Sequence, residues 1–260
     1  MPDSKIVLVT GGSSGIGRAT AVAFARGGAT VVIASRNADR GEAACQEVRA
    51  AGGAAEFIRT DVSVVADVER LVRTIAERFG RLDVAVNSAA TIDAGVFKET
   101  AAFDEADFDA HIAANLKSVW ACMKYEIAQM LAQESGGAIV NVSSVNGLGG
   151  VPQNALYAAA KAGVLALTKS AAQEYAARRI RINALVAGGF LTPMLQSVFA
   201  RINPADPASV EQSYGSMVPA GRIGDPDEAA SAIVWLASEG ASYAIGTSLI
   251  VDGGLTAPYR

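Results

Sequence analysis

Short unbroken apolar runs alternate along this chain with longer stretches in which apolar residues recur at helical spacing. Ile6-Val7-Leu8-Val9 is the first run; it stops at Gly11-Gly12, and residues 15–27 follow with a helical period. Residues 31–34 read as a second strand and 38–51 as an amphipathic helix ended by Gly52-Gly53. A third strand near 55–59 leads to Ser63, a capping residue for a helix through Phe79. Strands follow at 82–86 and 138–142, separated by one long helix over roughly 104–134. A helix rich in small residues at about 154–177 precedes a sixth strand at 181–186. Asp225-Pro226-Asp227-Glu228 carries a full helix-start signature: a capping Asp, proline at the first helical position and Glu at the capping-box position. The last run, 248–251, ends at Asp252-Gly253-Gly254.

Strands that alternate strictly with helices are joined by right-handed crossovers, so they lie parallel in one sheet with helices on both faces. The expected architecture is α/β: a doubly wound parallel sheet of about seven strands, in a single domain over residues 1–260. No linker, charge block or repeat marks a boundary. The stretch at about 188–215 contains Thr192-Pro193, Asn203-Pro204 and Asp206-Pro207 and reads as irregular. A loop of that length is expected to serve as a substrate lid. Its Phe190, Leu191, Met194, Leu195, Val198 and Phe199 point to a largely apolar pocket.

Composition supports this picture and removes other classes. An apolar fraction of 51% beside 18% charged residues suits strands covered on both faces. A net charge of -4 supplies no basic footprint for nucleic acid. No apolar run is long enough to span a membrane, and Met1-Pro2-Asp3-Ser4-Lys5 has no signal-peptide anatomy. Cys45 and Cys122 lack metal-ligand spacing and read as buried fillers in a reducing compartment, so a cytoplasmic location without a metal is expected.

The candidate chemistry begins at Thr10-Gly-Gly-Ser-Ser-Gly-Ile-Gly17, between the first strand and the first helix. Glycines there let the backbone turn tightly and approach a pyrophosphate resting on the helix N-terminus. Gly11, Gly15 and Gly17, with Ser13, Ser14 and Ile16 between them, form the expected cradle. Their spacing differs from G-x-G-x-x-G and resembles the TGxxxGIG fingerprint of the short-chain dehydrogenase/reductase family. That resemblance covers almost the full chain and implies a Rossmann-like fold binding NAD(P). At the end of the second strand a carboxylate would accept the ribose 2′-hydroxyl of NAD, but this chain has Ser35-Arg36. A guanidinium can clamp a 2′-phosphate, so NADP(H) is favoured, with NAD(H) as the alternative. Ser14 stands where NADP-preferring members often carry a second basic residue, and Arg36 could instead stack on adenine. By the same resemblance Asp61 and Val62 contact adenine.

Tyr157-Ala-Ala-Ala-Lys161 places a phenol and an ammonium one turn apart on a helix face. Ser143-Ser144 ends the fifth strand ahead of it, and Asn115 lies on the long helix. The set resembles the family's Asn, Ser, Tyr, Lys tetrad, with its Ser at Ser144 and Ser143 left to the strand end or cofactor. A free phenol, with a pKa of about 10, is a poor base at neutral pH; a nearby ammonium lowers it. The resemblance then implies four roles. Tyr157 exchanges a proton with the substrate oxygen while hydride moves to or from the nicotinamide. Lys161 lowers the Tyr157 pKa and holds the nicotinamide ribose. Ser144 orients the substrate oxygen, and Asn115 holds a water in a relay to Lys161. Asn87-Ser88-Ala89-Ala90 resembles the NNAG stretch, with Asn87 bracing the central strands and Ala89 beside the cofactor; Ser88 and Ala90 depart from it. Ala187-Gly188 replaces the family's Pro-Gly, a looser turn that keeps the nicotinamide contact at Gly188. Thr192 matches the threonine that contacts the carboxamide or pyrophosphate.

Other conspicuous residues have plainer readings. His111 is expected at a helix surface or interface, Trp120 and Trp235 in core or subunit packing. Arg178-Arg179-Ile180-Arg181 reads as a solvated cluster or helix-end cap. The expected activity is hydride transfer between NAD(P) and a secondary alcohol or ketone, on a small or cyclic apolar substrate. The alternative is a 3-oxoacyl-carrier-protein reductase, which needs cations at the site mouth. Arg178 is suitably placed, but Ala132-Gln133-Glu134-Ser135 offers none. A non-catalytic cofactor-binding regulator is opposed by the intact tetrad, and a sugar-nucleotide epimerase would need a sizeable C-terminal domain. The family commonly forms tetramers, and the Ala-rich face of 158–172 permits close helix packing, so a homotetramer is expected, with the tail 255–260 reaching a neighbour.

Overall fold

Val7, Leu8 and Val9 have no exposure at all, which a strand achieves only when both of its faces are covered. The computed structural model describes residues 4–92 and 97–257; of the expected intersubunit tail, residues 258–260 lie outside the described residues. Its strands are β1 (Ile6–Thr10), β2 (Thr30–Ser35), β3 (Ala54–Arg59), β4 (Val84–Asn87), β5 (Gly137–Ser144), β6 (Ile180–Ala187) and β7 (Ser248–Val251). All pair in parallel in the order β3-β2-β1-β4-β5-β6-β7. The order reverses between β1 and β4, and such a switch point opens a crevice at the carboxyl ends of the strands.

Successive strand residues point to opposite faces, and each face has its own helices. Val7, Val9, Val31, Ile33, Val86 and Val140 pack against α1 (Gly15–Arg26), α2 (Ala38–Ala50) and α9 (Pro226–Ala237). Leu8, Val32, Ala85, Ile139 and Ile182 pack against α3 (Val65–Phe79), α5 (Ser118–Ala132) and α6 (Ala155–Tyr175). On α3 the buried Val68, Leu71, Val72 and Ile75 form one stripe, each worth about 1.5–3 kcal/mol when fully buried. The expected single domain with helices on both faces is what the chain forms. Cys45 and Cys122 are free and buried, and burial raises both thiols.

Several local expectations are corrected. The helix before Phe79 starts at Val65 with Val64 in the cap position; Ser63 instead gives its N–H and hydroxyl to Asp61 Oδ1, at 3.0 and 2.6 Å. The long helix is not continuous. α4 (Glu105–Ile112) passes through a wider π turn, Ala113–Lys117, before α5 begins. The stretch taken as irregular holds two helices, α7 (Pro193–Ile202) and α8 (Pro207–Met217). Each starts with a capping side chain and proline in the first turn: Thr192 accepts from Leu195 N, and Asp206 from Ser209 N. Phe190 and Phe199 are buried scaffold, Phe199 against the Tyr214 ring, while Leu191 is exposed and Met194, Leu195 and Val198 are half-buried. Trp120 and Trp235 are not core residues; both lie exposed on α5 and α9. Among the described residues no helix is long and apolar enough to cross a membrane, and no group of three acidic, Cys or His side chains could hold a metal.

Candidate active site

The glycine turn is shaped by what it must avoid. Gly11 has φ +69°, and a Cβ there would stand 2.8 Å from the Ala89 backbone. Gly15 has φ +52° at the start of α1, and a Cβ on Gly17 would stand 2.5 Å from the Gly11 carbonyl oxygen. Ser14 occupies the cap position of α1 with extended backbone and no side-chain capping bond, which leaves first-turn N–H groups for an anion. A pyrophosphate therefore fits this turn. Side chains would fill the turn or force it open.

Ser35 and Arg36 sit at the carboxyl end of β2, where Asn37 caps α2 by accepting from Arg40 N at 2.9 Å. Register pairs Ser35 with Arg59, and Arg59 Nε donates to the Arg36 carbonyl at 3.3 Å. The structure thus brings a second guanidinium beside Arg36, from a neighbouring strand rather than from the glycine motif. Parallel pairing creates that proximity, which no spacing along the chain reveals. Asp61 Oδ1 is taken by Ser63, and Val62 packs half-buried beside Val68 and Cys122.

β5 and α6 bring the candidate catalytic groups together. Ser143 Oγ donates to the Lys161 carbonyl at 2.9 Å, and Lys161 Nζ donates to the Val142 carbonyl at 3.0 Å, so strand end and helix are pinned to each other. Lys161 Nζ lies 5.6 Å from the centre of the Tyr157 ring. Ser144 Oγ accepts from Asn146 N at 3.2 Å and hydrogen-bonds with Tyr157. Burial pushes the phenol up to about 12, opposed by Ser144 alone, and pushes the Lys161 ammonium down to about 8. The expected lowering of the Tyr157 pKa by Lys161 is therefore not what the protein groups themselves produce. Desolvation dominates, and Lys161 has no part in the shift.

Asn115 is fully buried in the π turn, where Oδ1 accepts from Thr91 N at 3.0 Å and Nδ2 donates to His111 Nδ1 at 3.4 Å. His111 is not a surface histidine: it is 1% exposed and meets the Phe103 ring edge-on. A one-turn π bulge is a frequent mark of a functional position, and here it carries Asn115. Asn87 ends β4 in a buried polar group. Its Nδ2 donates to Asn141 Oδ1 and to Glu126 Oε2, each at 3.0 Å, and Thr10 Oγ1 reaches its Oδ1 at 3.5 Å. The bracing expected of Asn87 is visible in these bonds. Glu126 escaped the sequence reading, since nothing in its local spacing distinguishes it from a solvated helix carboxylate.

Gly188 and Thr192 lie at the crevice for reasons of their own. A Cβ on Gly188 would stand 2.6 Å from Asp252, so the end of β7 demands the glycine. Thr192 caps α7 through its hydroxyl, while its methyl carbon stands 3.1 Å from an added Gly15 Cβ. The start of α7 therefore lies directly against the glycine turn.

Comparison with known proteins gives concordant matches. A family model described as Enoyl-(Acyl carrier protein) reductase matches residues 11–256. A 2,5-dichloro-2,5-cyclohexadiene-1,4-diol dehydrogenase of Sphingobium indicum is 41% identical over 253 residues, 97% of each chain. The crystal structure of levodione reductase superposes with a TM-score of 0.94 at 36% identity, covering 98% of both chains. An actinorhodin polyketide ketoreductase variant solved with NADPH gives 0.92 at 32% identity, again over 98% of both.

Proposed function

Because the chain belongs to the short-chain dehydrogenase/reductase family and is an NAD(P)-dependent alcohol dehydrogenase/ketoreductase, we propose that it interconverts a small cyclic alcohol and its ketone, with NADP(H) preferred. The observation that carries the reading is the convergence of Ser144, Tyr157 and Lys161 at the same strand-end edge of the parallel sheet as a glycine turn with room for a pyrophosphate. Related proteins act on a cyclohexadiene-diol and on levodione, and the exposed Leu191 with the half-buried Met194 and Leu195 offers apolar surface at the start of α7. The lid role of α7 and α8 belongs to this proposal.

The dinucleotide, when bound, supplies or accepts the hydride. Gly11, Ser13, Ser14, Gly15, Ile16 and Gly17 would hold its pyrophosphate, Asp61 and Val62 its adenine, and Ser35 with Arg36 the adenosine ribose. Asn87, Ala89, Gly188 and Thr192 would line the nicotinamide half. Tyr157 keeps its proton at neutral pH and so donates it to a substrate oxygen as negative charge develops there. Ser144 directs that oxygen, and Lys161 sets its ammonium beneath the phenol, where it stabilises the phenolate once the proton has left. Asn115 orders the far end of the proton path toward Lys161.

Arg36 favours the 2′-phosphate because no carboxylate stands at the β2 end and Arg59 adds a second cation nearby. The acyl-carrier alternative is weaker. Arg178, the cation it needs, is stacked on Tyr175 and bonded to the Glu174 carbonyl of its own helix. For assembly we propose a homotetramer. An apolar groove between the π turn, α5 and α6, lined by Ile112, Leu116, Trp120 and Leu167, is one contact face. The exposed Trp235, Tyr243 and Ile250 mark a second. A cytoplasmic location goes with this reading. The test is initial-rate kinetics with NADPH and NADH against a panel of cyclic and acyclic ketones. A higher kcat/KM with NADPH and cyclic ketones is expected, and equal or better use of NADH would overturn the Arg36 assignment.

A further inference from the structure

A carboxylate removed from water needs several donors or a cation to stay charged. Glu126, on α5 three turns beyond Asn115, has neither. It is fully buried, and among the described residues Asn87 Nδ2 is its single donor and Oε1 has no partner. The groups around it carry no cation that acts on it. Cys122, one turn earlier, is a buried thiol raised by desolvation. From β4, β5 and α6 come Asn87, Asn141 and Thr168, all uncharged and bonded to one another. The α3 stripe is apolar, and its Glu69 takes the Tyr125 hydroxyl at the exposed rim. Lys161 of α6 is committed to the Val142 carbonyl. Burial accordingly pushes the Glu126 carboxyl up to about 8.

Asn87 is where this matters. Its amide spends one N–H on Glu126 and the other on Asn141, which fixes the end of β4 between β1 and β5. Two residues on, the Ala89 backbone is the surface against which Gly11 turns, and Ser88 N donates to the Thr10 carbonyl at 3.3 Å. A shift of Asn87 would carry the Ala89 backbone with it against Gly11.

We propose that Glu126 is a positioning residue of the dinucleotide site: as a neutral carboxylic acid it holds Asn87, and through Asn87 the spacing of β1, β4 and the glycine turn. The proposal rests on the dinucleotide reading of the site. Glu126→Gln keeps a neutral acceptor for Asn87; Glu126→Met keeps volume and removes the acceptor. Dinucleotide Kd, read from the fluorescence of NADPH on titration, is expected to stay within about twofold in Glu126→Gln and to rise roughly fivefold in Glu126→Met, the loss of one hydrogen bond. Above about pH 8 the wild-type Kd should weaken relative to Glu126→Gln.

A second measurement uses no ligand. A carboxyl whose folded pKa is raised loses stability as pH climbs from its unfolded value through its folded one. The Tm of Glu126→Gln should therefore gain on that of the wild type between about pH 5 and pH 8 and then hold its lead. A Tm difference constant across that range would overturn the neutral acid. Wild-type affinity in Glu126→Met, or equal weakening in both variants, would overturn the positioning role. Failure of the wild type to bind NADPH or NADH would remove the dinucleotide reading and the positioning role with it, while the Tm comparison would still report the state of Glu126.

Discussion

Tyr157 holds its proton in the protein, with burial pushing the phenol up to about 12, and this gives the two reaction directions different pH profiles. In the proposed reaction, reduction uses the protonated phenol and the charged Lys161, so its kcat/KM should hold level over about pH 6 to 7 and fall as pH rises through about 8. Oxidation needs the phenolate, so its kcat/KM should climb over about pH 7 to 9; a flat oxidation profile would contradict the assignment. Lys161 makes a second prediction. Its folded pKa of about 8 lies below the ordinary 10.5, so the charged ammonium is a cost that is fully present below pH 8 and relieved as pH rises toward 10.5. The gap corresponds to about 3 kcal/mol. Lys161→Met should therefore raise Tm by a few degrees near neutral pH while lowering kcat by about a hundredfold or more, measured by calorimetry and by turnover. Lower Tm together with retained turnover would refute both roles. Tyr157 and Lys161 were legible as a pair one helical turn apart, and Ser144 was singled out by the family resemblance. Glu126 and the buried His111 were not, since burial is decided by elements far away in sequence.

Helix starts carry the site, and they were read unevenly. Asp225-Pro226 was recognised as a helix start, and the capping box is present there. Thr192-Pro193 and Asp206-Pro207 bear the same cap-then-proline signature, and two helices start there rather than the expected irregular loop. The π turn at Ala113–Lys117 has no local sequence signal; the Thr91 and His111 contacts of Asn115 accompany it, and both depend on the folded molecule. The start of α1 was fully legible, since only glycine fits its geometry. Gly17→Ala would place a Cβ 2.5 Å from the Gly11 carbonyl oxygen and reopen the turn. Dinucleotide affinity should fall at least about tenfold with a lowered Tm, consistent with overpacking costs of about 1–3 kcal/mol; unchanged affinity in fluorescence titration would count against the cradle.

At the scale of the whole molecule, the alternation of strands and helices implied the sheet and its parallel sense, while the strand order and the β1/β4 switch are seen only in the folded chain. Placement of Arg59 beside Arg36 and of Trp120 on an open face required the assembled sheet and helix layers. The apolar groove along α5 and α6 would be covered in a tetramer. Trp120→Glu should shift the sedimentation profile to a smaller species; a wild-type monomer, or a variant that sediments as wild type, would contradict that face as an interface.

The role proposed for Tyr157, proton donor to a carbonyl oxygen at a dinucleotide site, can be read from NADPH absorbance with a cyclic ketone in the wild type and in Tyr157→Phe, with NADPH binding measured on both. The wild type should consume NADPH, Tyr157→Phe should lose about two to four orders of magnitude in kcat, and the two proteins should bind NADPH equally. Turnover by Tyr157→Phe at the wild-type rate would contradict that role.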